Sequence, residues 1–222
     1  MINIWDVFKR QFAREYLLNC RQPRLIINSS LFFLMVLVFF PLTMTSDITL
    51  MRTVAPGLVW IAVLFAMFLS ADRLFKQDYD DGIIEQWLAS GLPISIMVLA
   101  KILVHWLVNL VPILIFCPII SLLFSLSLHE TYILILSLIC GTPAIIFLCG
   151  LAAAFSVDIQ QNGVLIPLIL LPLTIPIMIF GSGALIVTMQ GLDALGYIAL
   201  LLAISLLSII SLPFAIAFVI RA

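Results

Sequence analysis

The sequence predicts an all-α polytopic membrane protein, one domain of six transmembrane helices filling residues 1–222, and three observations lead there. Hydrophobic residues make up 64% of the chain and charged residues 9%, with a mean hydropathy of +1.31. That leaves too little polar surface to clothe a soluble globule of this size, so the bilayer is the solvent. The apolar residues gather into six stretches, each close to or beyond the roughly 20 residues needed to cross about 30 Å of hydrocarbon: Leu25 to Leu42, Val54 to Ala71, Ile94 to Leu128, Tyr132 to Phe155, Val164 to Thr188 and Leu195 to Ile220. Lys9, Arg10, Arg14, Arg21, Arg24, Arg73, Lys76 and Arg221 share one side of that threading, while the other side holds Arg52, with Lys101 in or near the start of the third span. An excess of Lys and Arg marks the cytosolic side, which places both termini in the cytosol and demands an even number of spans.

Along residues 1–24, Ile4, Trp5, Phe8, Phe12 and Tyr16 fall within about 120° of a helical wheel, opposite Asp6, Arg10 and Arg14. The pattern describes an amphipathic helix lying in the lipid interface, the alternative being a solvated basic segment. No small-residue cleavage site follows the basic and aromatic run, so it does not read as a secretory signal and the first span is expected to stay. Gln22-Pro23 turns the chain into the membrane. A net charge of −1 offers no global attraction for nucleic acid, and the basic residues cluster where an anionic cytosolic leaflet would hold them. Membrane lipid is the expected partner of this face, and nucleic acid is discounted.

Residues 72–93 form the sizeable cytosolic loop and carry most of the remaining charge. Asp80 or Asp81 can cap a short helix there, Glu85 suits its positive first turn, and Gly91 with Pro93 stops it. Ile83, Ile84, Trp87 and Leu88 would share one face of that helix. Two turns are too few to be stable alone, so the face is expected to be buried against something. Asp72, Asp78, Asp80, Asp81 and Glu85 outnumber Arg73 and Lys76, and an anionic leaflet repels acidic segments, which favours a protein partner over headgroups.

The other loops are short, at residues 43–53, 128–131 and 189–194 outside and 156–163 inside, with no room for a second folded domain. Pro112 and Pro118 predict a bend in the third span. In the fifth, Pro167, Pro172 and Pro176 ahead of Gly181-Ser-Gly183 predict kinks or a broken, partly re-entrant segment. Such breaks mark a pathway in some transporters and are more often plain kinks. Gly141, Gly150 and Ala154 are small enough to permit close helix approach.

Few residues offer chemistry. No Gly-x-x-x-x-Gly-Lys-Ser/Thr phosphate loop occurs, so ATP hydrolysis would need a partner chain. His129-Glu130 stands without the rest of a zinc motif, and there is no CxxCH heme-attachment motif. Cys20, Cys117, Cys140 and Cys149 are scattered without a CxxC pair and read as small apolar packing residues, so no metal site is expected. His105 is the one intramembrane imidazole, and Lys101 lies four residues earlier on the same helical face. Both are expected to face protein or water. A hydrogen-bonded structural histidine beside Trp106 is the commoner outcome, and a ligand or transport role is the alternative.

Ala55-Pro-Gly-Leu-Val-Trp60, Asp72-Arg-Leu-Phe75, Asp81-Gly-Ile-Ile-Glu-Gln86, Leu99-Ala-Lys-Ile-Leu-Val-His-Trp106, Gly141-Thr-Pro143, Asn162-Gly-Val-Leu165 and Leu171-Pro-Leu-Thr-Ile-Pro176 follow one another in an informative order. In that order and spacing they resemble the heme exporter protein B family, the permeases of the cytochrome c maturation ABC transporter. Asp72 stands where the family pattern has Glu, which keeps the charge, and Asn162 where a Gly-Gly pair is usual, which removes a glycine.

The resemblance implies an ABC-2-type exporter permease of the bacterial inner membrane, acting as a homodimer. It implies two copies of a separate ATPase, maturation protein A, together with the heme-handling maturation protein C, the small maturation protein D and the heme chaperone E. ATP would be bound by the ATPase, heme would be the candidate substrate, and no cofactor would be held covalently. Residues 1–24 would be the interfacial elbow helix, and residues 82–89 within the 72–93 loop the coupling helix that docks on the ATPase through Asp81, Gly82, Glu85, Gln86 and Trp87. His105 and Lys101 are the candidate heme or pathway contacts. Two mechanisms fit: export of heme, or use of ATP energy to release the heme-loaded chaperone. A permease for another small molecule or lipid is the second reading, and a non-ABC channel or secondary transporter the third.

Overall fold

Backbone polar groups in hydrocarbon must be satisfied within their own segment or a closed barrel, and this chain meets that constraint with helices. The computed structural model describes residues 4–21, 24–43, 48–71, 74–156 and 165–221, and among them there is no strand. In chain order the helices are α1 (Ile4–Arg21), α2 (Arg24–Thr43), α3 (Ile48–Ala71), α4 (Lys76–Asp80), α5 (Ile83–Ala89), α6 (Ile94–Leu123), α7 (Leu128–Ser156), α8 (Leu165–Met189) and α9 (Leu195–Arg221). Five described helices are long and apolar enough to cross a membrane, and α2, apolar over Ile27–Thr43, is a shorter sixth. The all-α polytopic architecture expected from composition is the one found.

Helix α7 occupies the centre and packs on α3, α6, α8 and α9, while α2 closes one side against α3 and α6 and α1 lies along α6. Large apolar side chains line the outside, among them Leu31 and Met35 of α2, Phe65 of α3 and Leu207, Phe214 and Phe218 of α9. In water this would be an aggregation surface, whereas in lipid it is the solvated face.

The bundle's middle is held by shape. Trp60 of α3 is fully buried and its ring lies where two glycines leave room. A Cβ on Gly141 of α7 would stand 2.6 Å from that ring, and one on Gly181 of α8 only 2.1 Å from it. A Cβ on Gly150 would meet Ile102 of α6 at 2.8 Å, and one on Gly183 would meet Tyr197 of α9 at 2.7 Å. These contacts explain the Gly181-Ser-Gly183 run. The expected break or re-entrant segment does not occur among the described residues, since α8 is a continuous helix through Pro172 and Pro176. The glycines serve close packing.

Two expected boundaries also move. The apolar run carries the third span to Leu128, but α6 ends at Leu123 and α7 already begins at Leu128, so the connection is residues 124–127. The reason is a capping box: the backbone N–H of Glu130 donates to Ser127 Oγ (3.2 Å) and that of Ser127 to Glu130 Oε2 (2.7 Å), which starts α7 at Leu128 and makes the expected outside loop at residues 128–131 its first turn. Likewise α3 begins at Ile48 rather than Val54. Arg52 in its added turns bonds Glu130 Oε1 (2.6 Å) and the carbonyl of Ser125, which ties the extension to the α6–α7 turn. Gln22-Pro23, Asp72, Arg73, Asn162 and most of the 156–163 loop lie outside the described residues.

Replacing Gly181 by Ala is expected to cost about 1–3 kcal/mol through overpacking against Trp60, while Gly57→Ala, whose added Cβ meets nothing within 4 Å, should cost little. Thermal unfolding of the two variants in detergent checks this, and equal midpoints would remove the slot as a determinant of the fold.

Candidate functional site

Lys101 stands seven residues into α6, about 10 Å along the helix at 1.5 Å per residue, on a helix without a single carboxylate. A buried cation there needs counter-charges from elsewhere, and two arrive. Glu15 Oε2 of α1 lies 3.1 Å from Lys101 Nζ, and Asp78 Oδ2 of α4 lies 2.7 Å from it. All three residues are buried. Glu15 has further donors, since Gln11 Nε2 (2.8 Å) and Arg14 Nη1 (3.1 Å) both reach its Oε1. Asp78 Oδ2 is close to Lys101 but off the hydrogen-bonding direction, and it makes no hydrogen bond among the described residues. The charges alternate along a line: Arg14, Glu15, Lys101, Asp78.

One turn deeper, His105 Nε2 and Ser70 Oγ of α3 are 2.6 Å apart. Asn109 Nδ2 donates to the His105 carbonyl (2.8 Å), and Ser29 Oγ of α2 donates to Asn109 Oδ1 (3.1 Å). Trp106 Nε1 donates to Thr142 Oγ1 of α7 (2.9 Å). A polar seam therefore follows α6 inward, joining α1, α2, α3 and α4 to it. At its outer end is a cavity of about 120 Å³ lined by Arg14, Glu15, Ser70, Asp78, Lys101 and His105 among others, which is polar enough to hold water. The histidine expected on the Lys101 face is thus buried and bonded, and Lys101, expected as a pathway cation, is already paired twice. No cluster of metal-ligating side chains occurs among the described residues.

Helix α1 turns its aromatic stripe outward, as an interfacial helix would, and packs on the bundle through a face that the wheel does not single out. The aromatic stripe is largely exposed at Ile4, Trp5 and Tyr16, with Trp5 stacked on Phe8 at 5.6 Å and the Lys9 ammonium 5.3 Å from the Trp5 ring. What packs inward is Val7, Gln11 and Glu15, a third face at i, i+4 and i+8. Glu15 is a site residue that the sequence reading misses. Its signal is available there, because a lysine inside an apolar span implies a carboxylate somewhere, and this one shares a face with an apolar residue.

The short helix forms at Ile83–Ala89, close to its expected bounds, but its entry is different. Neither Asp80 nor Asp81 caps it: Asp81 ends α4, and Gly82 at φ +68° is the N-cap of α5. Glycine adopts that left-handed conformation without the strain a side chain brings. Ile84 and Trp87 are buried within the chain while Leu88 is exposed, so the apolar face is covered by this chain. Trp87, expected at a partner contact, points inward instead, because so short a helix depends on the packing of that side chain for its stability. Asp81, Glu85 and Gln86 remain exposed, with Gly82 half-buried between the two short helices.

Comparison with known proteins adds to this geometry. Residues 5–222 match the profile of the CcmB protein family. The chain is similar to heme exporter protein B of Pseudomonas aeruginosa, 40% identical over 212 residues covering 96% of this chain and 95% of that one. It is 35% identical to heme exporter protein B of Haemophilus influenzae, covering 97% of both chains. The protein of the same name from Escherichia coli K12 is 35% identical, covering 97% of this chain and 98% of that one.

Lys101→Met leaves two buried carboxylates facing each other with Asp78 stripped of its cation and Glu15 holding only Arg14, and is expected to destabilise the chain by about 3–5 kcal/mol. Arg52→Met, at a pair whose arginine is one-third exposed, should cost far less. Denaturant unfolding in detergent compares them; a Lys101→Met chain as stable as the parent would mean that the junction contributes nothing to the fold.

Proposed function

The chain belongs to the CcmB protein family, and on that footing we propose that it is the membrane-spanning permease of a heme-export machine for cytochrome c maturation. The observation that carries this reading is similarity along nearly the whole chain to proteins named heme exporter protein B, on a fold made of apolar helices. The sequence has no phosphate-binding loop, so ATP is bound by a separate ATPase, maturation protein A, and hydrolysis reaches this chain through contact. Two copies of the chain work with two ATPases, maturation proteins C and D and the chaperone E, with both termini in the cytosol.

The contact lies at α5. Trp87 and Ile84 root that helix in the chain's interior, and Asp81, Glu85 and Gln86 face outward. An anionic leaflet disfavours this acidic face, which supports a protein partner. Nucleotide-driven closure of the ATPases then moves α5 as a rigid lever and repacks the bundle. The cavity beside His105 is about 120 Å³, below the ~300–1,000 Å³ of pockets that enclose drug-sized ligands. That size favours a chain which drives release of the heme-loaded chaperone over one that takes heme on His105.

A deletion strain complemented with variants tests the reading through covalent heme on c-type cytochromes and ATPase co-purification. The deletion should lose c-type cytochromes, and wild type should restore them. Asp81→Lys with Glu85→Lys is expected to lower ATPase recovery about tenfold or more, the loss of roughly 1.4 kcal/mol or more of contact, with thermal stability unchanged. His105→Ala should retain most cytochrome assembly. An intact cytochrome complement in the deletion would overturn the assignment, and undiminished ATPase binding by the charge-reversed chain would remove α5 as the contact.

A further inference from the structure

We propose that Glu15, Lys101 and Asp78 form a latch with one fixed arm and one releasable arm, in which displacement of α4–α5 breaks Lys101–Asp78 while α1 stays attached to α6 through Glu15. This inference rests on the coupling reading above and extends it to the step after α5 moves. Its basis is the inequality of the arms. The Glu15 carboxylate is held by Lys101, Gln11 and Arg14. Asp78 ends the line of charges, and its contacting oxygen has only a misaligned approach to Lys101 among the described residues.

Charge balance leads to the same arm. If Glu15 left, Lys101 would keep one counter-ion and Arg14 would lose its own. If Asp78 left with α4, Glu15 would still hold both the buried Lys101 and Arg14. The freed Asp78 moves toward solvent, where its charge is solvated, so no buried unpaired ion is created. The sequence makes the movable arm short: Asp78 lies on a five-residue helix, and the glycine at φ +68° separates it from α5. Asp78 lines the same cavity as Ser70 and His105, so its release widens access to the first link of the polar seam.

The test is thiol labelling of Ser70→Cys in the full-length chain in membranes, using a small charged methanethiosulfonate, with the adduct at position 70 quantified by mass spectrometry. Ser70 is buried in the parent, so the chain carrying Ser70→Cys alone should label slowly. Adding Asp78→Asn is expected to raise the initial rate about tenfold, through loss of the ionic contact with Lys101, and adding Glu15→Gln instead should leave it near the starting rate. Cys117 and Cys149, buried on α6 and α7, report global loosening. Labelling of those two along with position 70 in the Asp78→Asn chain would overturn a local latch. So would an unchanged rate in that chain, or an equal rise with Glu15→Gln. Adding the ATPase with a non-hydrolysable ATP analogue is a separate arm: no rise without Asp78→Asn, while the Asp78→Asn effect persists, would sink coupling through α5 and leave the latch standing.

Discussion

Taking an ammonium group from water into the membrane costs several kcal/mol unless counter-charges accompany it, and Lys101 has none on its own helix. Both come from segments outside the six long helices, Glu15 from α1 and Asp78 from α4. Composition alone would leave those segments lying loosely on the surface. Because the lysine must be neutralised, α1 is held along α6 and α4 is held beside the cavity at the end of the polar seam, which limits where α5 can be. The position of the acidic helix α5 thus follows from one charge placed about 10 Å inside an apolar helix together with the burial of its own Ile84 and Trp87.

The opposite end uses the same chemistry in weaker form. Arg52 joins Glu130 and the Ser125 carbonyl, but its side chain is one-third exposed, so solvent screens much of the attraction. Between the ends, ionic contacts give way to steric ones. Helices in lipid gain no hydrophobic drive from meeting each other, so α3, α7 and α8 associate by fit, with the Trp60 ring seated where Gly141 and Gly181 lack side chains. A bundle pinned by shape in its middle and by charge at its rims can repack at the rims without dissolving its core, which is the distribution of stiffness that the proposed coupling to an ATPase requires.

The apolar runs make the long helices readable, since a span of hydrocarbon thickness has one economical backbone solution. Boundaries are less readable, because hydropathy does not see hydrogen bonds: Ser127 and Glu130 start α7 by reciprocal capping, a spacing visible in the sequence but outweighed there by the apolar run through Leu128. For α8, the prolines suggest a break that the structure does not contain, and the neighbouring glycines are explicable only once Trp60 is in place against one of them. Lys101 and His105 stand out in the sequence as unusual, yet their partners Glu15 and Ser70 are 86 and 35 residues away. Periodicity reports the faces of a helix; it does not report which long-range charge a face will meet. The wheel of α1 accordingly finds the exposed aromatic stripe and passes over Glu15.

For the coupling role proposed for α5, the burial of one aromatic matters more than its availability to a partner. A seven-residue helix has too little internal hydrogen bonding to persist alone, and an outward Trp87 would leave it a flexible segment that a partner could order without moving anything else. With Trp87 set into the core and Ile84 buried beside it, any force on Asp81, Glu85 or Gln86 is borne by a packed element whose other attachment is α4. That attachment reaches the bundle's interior through the ionic contact from Asp78 to Lys101. A rigid lever on a breakable tether converts displacement into a discrete change of pairing, because close-packed elements switch between arrangements rather than deform continuously.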